Sequence, residues 1–155
     1  ITFWFVGSGP YKRLIKAYEK KLPVKYIGYI KEPYTMARIY QKSDILVLPS
    51  KRKRTWEELF GIVLVEAMSC GIPVIASNYV GPREIVRDGL NGYLIKSDPV
   101  RNRTSFINEL YNLVITLAED EKLRKQLGAK GREFAERFYD VRINANKWKK
   151  LLSNL

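Results

Sequence analysis

Residues 45–77 read ILVLPSKRKRTWEELFGIVLVEAMSCGIPVIAS. The stretch opens on Ile45-Leu46-Val47-Leu48, closed by Pro49-Ser50, and ends on Val74-Ile75-Ala76. Both runs are apolar at consecutive positions, as in strands covered on both faces of a parallel sheet. Between them lie a charged loop, Lys51 to Glu58, and an apolar helix, Ile62 to Cys70, with Gly71 as its stop signal. Strand, helix and strand in that order argue for an α/β fold with parallel pairing.

The pattern extends in both directions. Thr2 to Val6 is an apolar run ended by Gly7-Ser8-Gly9-Pro10, and Pro10 suits the first position of a helix reaching about Leu22. Val24 to Ile27 is a second strand candidate, and Tyr34 to Lys42 has weak helical spacing. Downstream, a short helix is expected near Pro82 to Arg87, then turns at Asp88-Gly89 and Asn91-Gly92, then a strand at Tyr93-Leu94-Ile95. From Thr104 to the end the pattern is helical, with Leu110, Leu113, Val114 and Leu117 spaced to cover the sheet. The alternation predicts a Rossmann-like, doubly wound parallel sheet with C-terminal helices, as a single domain over residues 1–155. The chain starts directly on a strand-like run without methionine, so we expect it to be part of a longer polypeptide.

Composition bounds the chemistry. Hydrophobic residues make up 46% of the 155 residues, which is a globular proportion. With no histidine and one cysteine, Cys70, neither a common zinc site nor a serine–histidine triad can be assembled within this sequence. A single cysteine excludes an internal disulfide framework and points to a reducing compartment. Cys70 itself reads most simply as a small apolar core residue. The formal charge of +12 favours acidic partners: phosphorylated ligands, an anionic membrane surface or nucleic acid.

Ligands of such folds bind at the carboxyl ends of the strands. Two glycine turns would stand there. Gly7-Ser8-Gly9-Pro10 lets a ligand approach the backbone, although it lacks the full dinucleotide fingerprint. Phe60-Gly61 opens the Ile62–Cys70 helix, whose first N–H groups have no partner inside the helix. Glu58 precedes that end and Glu66 lies one turn inside it. A carboxylate accepts two hydrogen bonds at once, and vicinal sugar hydroxyls present matched donors. A sugar–phosphate–ribose ligand suits that arrangement. The bland alternative pairs Glu66 with a lysine and leaves Glu58 solvated. The run Lys51 to Arg54 is either a solvated basic loop or an attractor for a diphosphate or an anionic surface.

The segments SDILVLPS, ELFGIVLVEAMSCGIPVIAS and VGPREIVRDGLNGYLI closely resemble the carboxyl-terminal half of family-4 retaining glycosyltransferases of the GT-B fold. FVGSGPYKRLI and YIGYIKEPYTMARIYQKSDI resemble the glycine turn of that half and the segment that follows it. The likeness covers about Thr2 to Phe138, and its most specific element is the Glu-x7-Glu pattern from Glu58 to Glu66.

The resemblance implies a nucleoside diphosphate sugar as donor substrate. By position, Glu58 is the candidate catalytic residue, in contact with the donor sugar hydroxyls, and Glu66 binds the ribose hydroxyls. The backbone at Phe60, Gly61 and Ile62 would meet the sugar and diphosphate. Tyr29 and Ile30 would meet the base, and Gly9 would lie near the cleft floor. No metal or other cofactor is implied. Three departures from the family accompany the likeness. An upstream strand that carries an Arg and a Lys for the diphosphate is missing, and so is the N-terminal GT-B domain that binds the acceptor. The loop before Glu58 is longer than usual, with Leu59 in place of a small residue or proline. The expected setting is cytoplasmic, with peripheral contact to an anionic membrane as a further possibility, and nucleic acid is not an expected partner. Two rivals stay open. One is a non-catalytic basic α/β module for nucleic acid or an anionic surface, against which stands the lack of aromatics clustered beside the Lys/Arg runs. The other is a nucleotide-sugar epimerase.

Overall fold

The computed structural model describes residues 1–52 and 57–153, and among them five strands alternate with helices before a run of three helices closes the chain. The chain forms two units, Ile1–Ile39 and Tyr40–Leu155.

In the first unit β1 (Phe3–Val6) pairs in parallel with β2 (Val24–Gly28), joined by α1 (Lys12–Tyr18). The α1 helix is shorter than the expected span from Pro10 to Leu22. Its start is set by a turn in which Lys12 N–H donates to Gly9 O, and Pro23 limits its continuation. Gly7 follows β1 with a φ of 124°, a conformation that favours glycine. Its N–H donates to Gly28 O at 2.7 Å, and its carbonyl accepts the Tyr26 hydroxyl at 3.0 Å. The expectation that every strand is covered on both faces fails for β1, where all four residues are exposed. Two strands and one short helix are too small a unit to bury both faces.

The α2 helix (Pro33–Gln41) leads into the second unit. There β3 (Leu46–Leu48), β4 (Val74–Ser77) and β5 (Gly92–Ile95) pair in parallel in that order. One hydrogen-bonded sheet is therefore replaced by two groups of strands, while the parallel α/β architecture holds. The central strand β4 is buried at every position, as its unbroken apolar run requires. Between β3 and β4 runs α3 (Ile62–Ser69), and between β4 and β5 runs α4 (Val80–Ile85). The α4 helix begins two residues before the expected position, so Pro82 sits third in the helix. That is still within the first turn, where a missing N–H costs nothing.

The helical tail is three helices, α5 (Arg103–Glu119), α6 (Glu121–Tyr139) and α7 (Val141–Leu152). Asn102, Asp120 and Asp140 cap their starts by accepting backbone N–H bonds. As expected, α5 covers the sheet: Phe106, Val114 and Leu117 join Ile75, Ile95 and Leu127 in the core, with Leu110 and Leu113 packed against it. The α6 helix lies against α3 through glycines. A Cβ on Gly128 would fall 2.0 Å from Gly71 O, and one on Gly131 would fall 3.1 Å from Met68 Cγ. Among the described residues no helix is long and apolar enough to cross a membrane.

Candidate functional site

The start of α3 is made by Gly61, with φ 87° and ψ 50°. That left-handed conformation suits glycine, and a Cβ would also come within 3.0 Å of Leu64 Cδ1. Among the described residues no side chain caps this helix, and its first turn holds no acid. Leu64 N–H donates to Gly61 O at 2.9 Å, so the amides ahead of it are the ones offered to an outside acceptor, at the positive end of the helix dipole.

The loop that delivers Gly61 hangs from a short rail, Ser77 to Gly81. Ser77 Oγ donates to Ser50 O at 2.8 Å, and Tyr79 Oη accepts the Arg52 N–H at 3.1 Å. Val80 N–H donates to Glu57 Oε1 at 3.2 Å, and Gly81 N–H donates to Glu58 O at 3.1 Å. The fit at Gly81 is close: a Cβ there would lie 2.3 Å from Phe60 N and 2.5 Å from Leu59 C. Sequence reading missed this support, since each bond joins residues more than twenty positions apart.

Two adjacent acids divide the loop chemistry. Glu57 is committed to structure: besides the Val80 amide it pairs with Arg52 Nε at 3.5 Å. Glu58 is half-buried, and its carboxylate meets no hydrogen-bond or ion-pair partner among the described residues. Phe60 is held edge-on to Tyr139, with ring centroids 5.9 Å apart. Phe134 and Phe138 extend that aromatic group along α6.

Glu66 lies in the second turn of α3, exposed, on a helix that otherwise buries Leu64, Val65, Ala67 and Met68. Among the described residues its partner is no lysine. The Tyr40 hydroxyl donates to Glu66 Oε2 at 2.9 Å, from a ring that is only 4% exposed. Burial, then the bond to Glu66 and the charge of Glu66, push the Tyr40 phenol well above its usual range, so it stays a donor. Cys70 caps the other end of α3 half-buried, not in the core, and burial pushes its thiol up.

The remaining sequence-derived residues belong to the first unit. Tyr29 and Ile30 follow β2 directly, Tyr29 exposed and Ile30 half-buried. Gly9 is exposed in the turn after β1, and a Cβ on it would meet nothing within 4 Å. Of the basic run, Lys51 and Arg52 are exposed, while Lys53 and Arg54 lie outside the described residues. Among the described residues no three His, Cys, Asp or Glu side chains group as metal ligands.

The parallel α/β scaffold has counterparts among known proteins. The profile of the family described as "Glycosyl transferases group 1" matches residues 1–134, and the chain belongs to that family. It is 35% identical to an uncharacterized glycosyltransferase of Methanocaldococcus jannaschii, over 88% of this chain and 36% of that protein. It is 31% identical to the N-acetyl-alpha-D-glucosaminyl L-malate synthase of Bacillus anthracis, over 83% of this chain and 31% of that protein. The chain thus spans about a third of the length of these relatives. Anabaena HepE, solved in complex with UDP-glucose, superposes with a TM-score of 0.75 at 28% identity, over 99% of this chain and 41% of that one. The architecture matches glycosyltransferase structures of the GT-B fold.

Proposed function

We propose that this chain is the donor-binding half of a retaining glycosyltransferase that transfers a hexosyl group from a nucleoside diphosphate sugar. The observation that carries the proposal is the α3 start at Gly61, with a carboxylate before it at Glu58 that meets no partner among the described residues and a held carboxylate inside it at Glu66. The HepE complex with UDP-glucose, a close structural neighbour, supports the choice of ligand.

In this reading the α3 amides and the backbone of Phe60, Gly61 and Ile62 receive the diphosphate. Stabilising a departing diphosphate is the main electrostatic demand of the reaction, and fixed N–H dipoles with nearby cations meet it without a metal. Glu58 takes the donor sugar hydroxyls and Glu66 the ribose hydroxyls. Tyr29 and Ile30 are assigned to the base and Gly9 to close approach of the ligand. The acceptor is assigned to an N-terminal domain of the same polypeptide, without which this part does not turn over. We assign the excess positive charge to a peripheral anionic surface or an acidic acceptor. Cosedimentation with anionic and neutral vesicles across a salt series tests that part, and an absence of binding at low salt refutes it.

Calorimetric titration with a panel of nucleoside diphosphates and their sugars tests the main reading. Saturable binding that strengthens when a sugar is attached is expected. Binding to vesicles or duplex DNA with no nucleotide binding would favour the non-catalytic basic module instead.

A further inference from the structure

Among the described residues Tyr40 is the one tyrosine whose hydroxyl reaches a carboxylate of the candidate site. We infer that Tyr40 is a positioning residue that fixes the Glu66 carboxylate for a vicinal diol and thereby makes the site prefer ribonucleotides over dideoxyribonucleotides. The inference rests on the assignment of Glu66 to the ribose.

The geometry supports a holding role. An exposed glutamate on a helix samples many rotamers, and immobilising it on ligand binding carries an entropic cost. Here the Tyr40 hydroxyl already holds Glu66 Oε2 at 2.9 Å, across 26 positions of sequence. The ring that carries the hydroxyl is buried and anchored on α2, and Ser43 N–H donates to Tyr40 O at 2.8 Å. The donor is therefore stiffer than the group it holds. An ionised carboxylate has about four acceptor positions. Tyr40 uses one of them on Oε2, which leaves Oε1 and the second lone pair of Oε2. Those suffice for two adjacent hydroxyls. A lysine in the same place would compete as a point charge and attract phosphate instead.

The test is calorimetry of the parent, Tyr40→Phe and Glu66→Gln with two probes, UDP and its 2′,3′-dideoxy form. Tyr40→Phe keeps the ring and removes only the hydroxyl. The parent should prefer UDP. Tyr40→Phe should bind UDP roughly three- to tenfold more weakly while its affinity for the dideoxy form stays unchanged. Glu66→Gln should lose about tenfold or more for UDP alone. A Tyr40→Phe protein that weakens equally for both probes would show a packing role only and overturn the inference. So would one that matches the parent on both. If the parent lacks a preference, or Glu66→Gln keeps it, the ribose reading of Glu66 fails and takes this inference with it. A loss in Glu66→Gln with none in Tyr40→Phe removes the inference alone.

Discussion

Gly81 lies directly against the backbone of Phe60: a Cβ added to Gly81 would stand 2.3 Å from the Phe60 nitrogen. The Gly81 amide also donates to the carbonyl of Glu58 at 3.1 Å. The loop that ends in the α3 helix start is thereby seated on the start of α4, and its position depends on a missing side chain.

Gly81→Ala should therefore act twice. Forcing a methyl group against backbone, which cannot rotate aside, should destabilise the protein by about 1–3 kcal/mol. It should also weaken UDP binding, because Phe60 and Gly61 are displaced. Urea unfolding and calorimetry measure the two effects, and full stability in the variant would contradict the close approach.

The adjacent acids Glu57 and Glu58 should separate cleanly. Glu57→Ala removes an acceptor for Val80 N–H and a partly exposed ion pair, a loss of about 1 kcal/mol in stability. Glu58→Ala removes no partner seen among the described residues, so stability should hold. It should weaken binding of a nucleotide sugar while leaving the bare diphosphate nearly unaffected. Equal weakening for both ligands would place Glu58 away from the sugar.

Gly9 offers the opposite case to Gly81. Open space surrounds its Cβ direction, so Gly9→Ala should change stability by less than about 1 kcal/mol. If a ligand approaches this turn, the added methyl should still reduce nucleotide affinity. Unchanged affinity would remove Gly9 from the site.

The start of α7 should be sensitive to acid. The Arg142 guanidinium and then its backbone N–H hold the Asp140 carboxyl down at about 2. A carboxyl depressed in the folded state contributes stability above its unfolded value of ~3.9, and that contribution fades as pH falls through the folded value. Protection of the α7 amides, measured against their intrinsic exchange rates, should therefore fall between about pH 4 and pH 2. Asp140→Asn should exchange faster than the parent at neutral pH, with the difference closing at about pH 2. A constant difference across that range would refute the charge-based capping.

The sequence made the alternation of strands and helices legible because the strands are unbroken apolar runs, and α3 could be placed to within a residue at its C-terminal end. The breaks in the helical tail were hidden. Asp120 and Asp140 cap new helices without interrupting the charged and apolar spacing, so three helices read as one. The gathering of Glu58, Phe60, Gly61 and Glu66 at one helix end was legible, since a few residues fix it locally. Their supports were not. The bond from Tyr40 to Glu66 and the bonds from Ser77, Val80 and Gly81 to the loop join distant positions, and only the folded chain brings those together.

The crossing of α6 over α3 at Gly128 has a consequence at the opposite end of α3. Gly71 O occupies the place that a Gly128 side chain would need, so the tail of the short helix is clamped between backbones. Eight residues span ~12 Å, too short a rod to bend appreciably. A tilt imposed at the clamp is delivered almost undiminished to the amides at Gly61. The α3 start is in effect an outrigger of the core, held at its far end by Gly71 and at its near end by the seat of Glu58 and Phe60 on Gly81.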